Sequence, residues 1–225
     1  MTSTPRGAAA KASVRLAVVW ALLLLLGYAV GRLVTDAHPS WDAAVVADLR
    51  GANHGTLTDA MRFLTELGGT LVLDVLFLAG MAILLVRRYW HDALFLLLAS
   101  PGTVVLIQIL KHAVSRPRPR AHQLAGAAGS SWPSGHASSS MALYGGLLMI
   151  ALSLHAHDPG RFRRARRTAI SLTVALVALI GLSRVYLAVH YPTDVLASWI
   201  LVAVWLTLLE RKIGHSKPAV SLSSD

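Results

Sequence analysis

Polar residues punctuate six long apolar runs: Leu16 to Gly31, Leu67 to Val86 broken by Asp74, Ala93 to Leu110, Ala137 to Leu154, Ala169 to Val189 carrying Arg184, and Val195 to Leu209. Several are shorter than the about 20 residues that cross a bilayer as a helix. Flanking Arg and Lys snorkel, and the ends extend through Tyr, Trp or Pro, so each run predicts a transmembrane helix, the sixth being weakest by length. The chain between the first two runs, Thr35 to Glu66, is the longest stretch outside them. Within it Leu57, Ala60, Met61 and Leu64 recur at helical spacing, and Trp41, Val45, Val46 and Leu49 do so more roughly. This pattern predicts a helical hairpin on the outer membrane surface, turning near Gly51 to Gly55, as a packed connector or an aid to lipid entry.

Composition strengthens this reading. Hydrophobic residues are 55% of the chain, and charged residues only 14%, where soluble domains carry about 25%. The mean hydropathy is +0.57. So much apolar surface excludes a disordered chain and an ordinary soluble enzyme, and the lack of Cys excludes a disulfide scaffold. The expected fold class is an all-α polytopic membrane bundle of about six helices. Residues 1–215 are read as one integral-membrane domain and 216–225 as a loose tail.

The formal charge of +10 would suit a nucleic-acid binder, but its distribution does not. Short basic clusters separate the apolar runs, as membrane proteins use to fix their orientation. Arg6, Lys11 and Arg15, then Arg87 and Arg88, then Arg161, Arg163, Arg164, Arg166 and Arg167, then Arg211, Lys212 and Lys217 fall on one side. That side holds thirteen of the 21 basic residues and is expected to be cytoplasmic, with both termini. The first run, ending in Ala29-Val30-Gly31, also has the form of a cleaved signal. Either choice leaves the orientation unchanged, and a retained helix is the working expectation.

With that topology the polar groups at the ends of the later helices collect on the outer face. Lys111 closes the third run and leads into Arg116-Pro117-Arg118-Pro119-Arg120, a stiff extended path. Pro133-Ser134-Gly135-His136 opens the fourth. Ser134 suits an N-cap, and Gly135 admits a ligand close to backbone N–H groups that favour an anion. Ser183 and Arg184 lie near the end of the fifth run, and His190 and Asp194 bracket the Tyr191-Pro192-Thr193 turn into the sixth. On an ideal helix Ser183 and His190 share a face. Asp194 is placed to hold the His190 tautomer. Lys111, Arg118 and Arg184 supply three cations for a phosphate, and His136 a second titratable group. His155, His157 and Asp158 have the look of a metal trio without enough ligands, so no metal and no cofactor are expected. Asp74 is read as a structural hydrogen-bonding group or, less readily, a functional one.

Lys111-x6-Arg118-Pro119, Pro133-Ser134-Gly135-His136 and Ser183-Arg184-x5-His190-x3-Asp194 together resemble the three motifs of the type-2 phosphatidic acid phosphatase superfamily. That superfamily includes membrane lipid phosphatases, glucose-6-phosphatase and vanadium haloperoxidases. The resemblance covers 111–194 and departs at no motif position. It implies metal-independent hydrolysis of a phosphomonoester or diphosphate through a phosphohistidine. It makes His190 the nucleophile, Asp194 its partner and His136 the general acid, with Lys111, Arg118, Ser134, Gly135, Ser183 and Arg184 binding phosphate. The expected substrate is a phospholipid or isoprenoid phosphate: undecaprenyl diphosphate, phosphatidylglycerol phosphate or phosphatidate. The expected setting is a bacterial inner membrane with the site facing outward, and no nucleic acid. The alternatives are a phosphotransferase using the same site, a haloperoxidase, which six spans disfavour, and a non-enzymatic transporter.

Overall fold

A computed structural model describes residues 5–51, 55–120, 123–155 and 163–213. These residues form helices joined by short connections, with no strand among them. The helices are α1 (Pro5–Ala37), α2 (Ser40–Gly51), α3 (Gly55–Glu66), α4 (Thr70–Val86), α5 (Trp90–Val114), α6 (Gly135–Ser140), α7 (Gly146–Leu154), α8 (Arg163–Tyr186) and α9 (Pro192–Ile213). A π-helical turn, Met141–Gly145, joins α6 to α7, so that Gly135–Leu154 is one continuous span. Six segments are long and apolar enough to cross a bilayer, one for each apolar run of the sequence, although the fifth ends at Tyr186, short of the Val189 end of its run. Elsewhere they extend beyond those runs because helix continues into flanking polar residues, whose heads reach the interface.

The packed centre is α5. Its Phe95, Leu96, Ala99, Leu106 and Leu110 are buried against Leu201, Val202, Trp205 and Leu206 of α9, Leu23 of α1, and Ala142 and Leu143 of the π turn. Trp205 Nε1 donates to the Leu98 carbonyl at 3.1 Å, so even this mid-span polar atom is satisfied inside the bundle. By contrast α4 buries only Leu73 and Leu84, leaving a broad apolar face for hydrocarbon. Asp74 lies on that exposed face without the structural hydrogen bond expected of it among the described residues.

Small residues allow α1 to close on the bundle. A Cβ on Gly27 would meet Leu110 at 2.8 Å, and one on Gly31 would meet Trp132 Nε1 at 2.3 Å. That indole donates to the Gly27 carbonyl at 3.1 Å and ties α1 to the segment leading into α6. At the far end of the bundle, His91 Nδ1 lies 3.4 Å from the Ile213 carbonyl. The Arg87–Arg88 turn and the basic end of α9 therefore lie at one end, as the charge pattern requires.

The two helices expected between the first two runs are present as α2 and α3, both packed on α8, and the expected turn at 52–54 lies outside the described residues. They do more than connect. Thr58 of α3 hydrogen-bonds the Tyr186 hydroxyl, and Arg62 donates to the Leu124 carbonyl. Leu49 and Met61 join Leu124, Tyr186, Leu187 and Val189 in an apolar cluster over the ends of the spans. The expected tail, 216–225, lies outside the described residues, as do His157 and Asp158 of the metal trio.

Candidate active site

Two reversals of the backbone bring the motif residues together. Ser115 caps α5 in the left-handed region (φ 53°), its N–H bonded to the Lys111 carbonyl. The Pro117–Pro119 path then runs across the end of the bundle. The second reversal corrects an expectation. α8 stops at Tyr186 and does not run to Val189, so Ser183 and His190 do not share a helix face. Ala188 takes φ 55°, a conformation that glycine adopts with less strain, and the N–H groups of Val189 and His190 both point at the Arg184 carbonyl (3.2 Å each). This hook delivers His190 to the first turn of α9.

His190 is buried and has a defined tautomer. Arg118 Nη1 stands 3.3 Å from its Nε2. A guanidinium can only donate, so Nε2 carries the lone pair and Nδ1 the proton. Nδ1 faces Asp194 Oδ2 at 3.5 Å, just beyond a good hydrogen bond. Burial holds the imidazole well below its ordinary value, to about 4. The Asp194 carboxylate opposes this, and Lys111 and Arg184 add to it. The ring is therefore neutral at physiological pH.

Around it lie the expected cations. Lys111 Nζ donates to the Ser130 carbonyl at 2.8 Å. Arg118 meets the carbonyls of Val189, Gly129, Ala128 and Ser130 as well as His190, which uses all five of its N–H groups. Burial lowers the pKa of Arg118 from its ordinary value, and the Asp194 carboxylate opposes this. Arg184 Nη1 donates to Thr65 Oγ1 at 2.5 Å, while its Nε has no partner. His136 lies within electrostatic reach of Arg184, His190, Lys111 and Arg118. A Cβ on Gly68 would come within 3.6 Å of the His136 Cβ, so the approach to α4 forms the far wall.

Two serines differ from expectation. Ser134 occupies the N-cap position with extended backbone, but its side chain makes no capping bond. Its carbonyl instead accepts the hydroxyls of Ser138 (2.7 Å) and Ser198 (3.1 Å), and its own Oγ is buried without a partner. Ser183 is fully buried and spends its hydroxyl proton on the Ile180 carbonyl at 2.6 Å. Gly135 lies in van der Waals range of the Lys111 chain, 3.8 Å from a built Cβ. Three of the four buried polar atoms lacking partners among the described residues, Ser134 Oγ, Arg184 Nε and His190 Nδ1, belong to the motif residues. Buried orphans are costly, and they cluster where a ligand would satisfy them.

The sequence reading passed over Asp42, Thr65, Arg116 and Thr193. Arg116 was visible only as part of a stiff basic path, and nothing in the pattern of α2 singled out Asp42.

Residues 89–215 match the PAP2 superfamily. The chain belongs to that superfamily. Phosphatidylglycerophosphatase B of Bacillus subtilis is 31% identical over 169 residues, 74% of this chain and 80% of that protein. The crystal structure of the transmembrane PAP2-type phosphatidylglycerolphosphate phosphatase from Bacillus subtilis superposes with a TM-score of 0.69 at 27% identity. It covers 88% of this chain and 94% of its own. LpxE of Aquifex aeolicus has the same fold, with a TM-score of 0.58 at 20% identity over 76% of this chain and 96% of its own. The PAP2 chain with its six candidate spans is a multi-pass membrane phosphatase.

Proposed function

We propose that the protein hydrolyses a lipid phosphate, of the phosphatidylglycerol phosphate, phosphatidate or undecaprenyl diphosphate type, through a phosphohistidine on His190. The observation that carries this is the tautomer of His190: its Nε2 lone pair faces Arg118 in a cation-lined site, with Nδ1–H toward Asp194. In the first step Nε2 attacks phosphorus, and the bond to the leaving oxygen breaks as His136 protonates it. Asp194 then closes on Nδ1–H and stabilises the imidazolium. In the second step His136 takes a proton from water, whose oxygen displaces His190 and releases phosphate.

Lys111, Arg118 and Arg184 hold the charge on the phosphoryl oxygens, aided by the Ser134 hydroxyl and the backbone at Gly135. The phosphate replaces loop carbonyls as partners of Arg118 and Lys111, and Ser183 joins by turning its hydroxyl from Ile180. These cations do the work of the divalent ion in other phosphoryl-transfer sites. Among the described residues no cluster of three His, Asp or Glu side chains is placed to hold a metal.

Phosphate release from detergent-solubilised protein is therefore expected with EDTA present, and vanadate is expected to inhibit it. A panel of the three lipids above reads out the substrate. Loss of activity in EDTA that Mg²⁺ restores would overturn the mechanism. Release that requires a lipid or sugar acceptor would make the protein a phosphotransferase.

The site is read as facing outward, because Arg87, Arg88, Arg163, Arg164, Arg166, Arg167, Arg211 and Lys212 end the spans opposite to it. A cysteine placed in the Arg163 to Arg167 stretch is expected to resist an impermeant thiol reagent in intact cells. One placed at Gly126 is expected to react. The reverse labelling would place catalysis on the cytoplasmic side. The packing of α1 against Trp132 and Leu110 supports its retention as a helix.

A further inference from the structure

Behind His190 the structure holds a chain of buried charges that the three motifs do not include. Arg116 Nη1 donates to Asp194 Oδ1 at 2.5 Å and to Thr193 Oγ1 at 2.8 Å. Its Nη2 donates to Asp42 Oδ2 at 2.8 Å. Asp42 also accepts the Thr193 N–H at 3.1 Å on Oδ1 and the Thr193 hydroxyl at 2.5 Å on Oδ2. The guanidinium carbon lies 4.3 Å from the centre of the Tyr191 ring. Asp42, Arg116 and Asp194 are all less than 5% exposed, at 1%, 4% and 0%.

We propose that Arg116 and Asp42 are positioning residues of the reaction, which orient the Asp194 carboxylate toward His190 and set how much of its negative charge the imidazole feels. The inference rests on His190 as nucleophile. Its geometric basis is that each Asp194 oxygen has its own donor. Oδ1 takes Arg116, and Oδ2 takes the Tyr191 N–H at 2.8 Å while facing His190 Nδ1. The carboxylate is thus held against rotation, in the plane where Oδ2 can close on the ring. Asp42 reaches this point from α2, far outside the motif segment, and divides the charge of Arg116 between two carboxylates. A buried ion pair gives little net stability, which leaves orientation and field as what this network supplies.

The electrostatic consequence has a definite sign. His190 must be neutral to attack, so the acid limb of kcat/KM follows its ionisation. Arg116→Gln removes a positive charge, favours the imidazolium and moves the limb to higher pH, by about one unit for a charge at this remove. Asp42→Asn leaves Arg116 wholly to Asp194, weakens the field on His190 and moves the limb to lower pH. The double variant removes one charge of each sign and returns the limb toward that of the parent. The other charged or titratable groups facing His190 are Lys111 of α5, Arg118, His136 of α6 and Arg184 of α8, and all four are unchanged across the series.

The experiment measures kcat/KM for dioctanoyl phosphatidylglycerol phosphate from about pH 2.5 to 7 in detergent, a range that brackets the parental limb on both sides, as the ratio of variant to parent, which cancels the ionisation of the substrate. Thermal unfolding reports the fold, and Thr207→Val, whose hydroxyl bonds only the Ala203 carbonyl of its own helix, is an uncharged control expected to leave the limb in place. Opposite displacements in the two single variants, with recovery in the double variant, support the proposal. Limbs that stay in place, or move the same way, in folded protein overturn it. Where Arg116→Gln does not fold, Asp42→Asn and the double variant decide in the same way, and Arg116→Lys is expected to keep the parental limb. His190→Ala is the control for the underlying reading. If it is inactive while the limbs stay in place, only the positioning role fails. If it is active, both fail.

Discussion

His190→Ala is expected to abolish phosphate release, by about 10⁴-fold or more, as when a covalent nucleophile is removed. No other side chain at the site combines a nucleophilic lone pair with a partner ready to stabilise the charge that develops on attack. Lys111 and Arg184 are cations that stabilise charge, and the Ser183 hydroxyl is turned toward its own helix. The fold should survive the change. In this state the ring contributes one contact at 3.3 Å to Arg118, which keeps four carbonyl partners without it. Single-turnover phosphate release and thermal unfolding in the same detergent check both halves. A variant retaining a tenth of parental turnover would remove His190 from the role.

His136→Ala is expected to slow release from phosphatidylglycerol phosphate by about 10² to 10⁴-fold, the usual contribution of a positioned acid. The effect should depend on what leaves. An alkoxide departs poorly without a proton, whereas an aryl oxide, or the phosphate lost from a diphosphate, departs well unaided. The ratio of variant to parental turnover should therefore rise toward one as the pKa of the leaving group falls. A flat ratio would assign His136 to phosphate binding or water activation. It stands at the start of the Gly135–Leu154 span, with its Cβ 3.6 Å from a Cβ built on Gly68.

Much of this protein was legible from side-chain chemistry in one dimension. Hydrocarbon admits a backbone only as a helix or a closed barrel, so six apolar runs predict six helices without reference to their packing. The ends were less legible, because Lys, Arg, Tyr and Trp near the interface continue a helix while breaking an apolar pattern. α8 shows this at both ends: it starts within the arginine cluster at Arg163 and stops at Tyr186, before the apolar run does. The motif residues were legible because phosphate chemistry needs cations, a nucleophile and an acid, and the order of the spans puts those residues at one end.

The details of the site were not legible, because they depend on which hydrogen bond wins locally. Ser134 had the right position for a side-chain cap, yet its carbonyl was claimed by Ser138 and Ser198 and its hydroxyl left without a partner. His190 had the right spacing to share a face with Ser183, yet Ala188 reverses the chain before it. The sequence by itself determined the class of fold, the six apolar spans and the placing of the motif residues near their ends, since these follow from hydropathy, charge and residue order. The tertiary structure alone decided the tautomer of His190, the wall made by Gly68 and Thr65, and the join of Asp42 to Asp194 through Arg116. Each of these is a contact between segments remote in the chain, 74 residues apart for Asp42 and Arg116, and no periodicity or local propensity records such a contact.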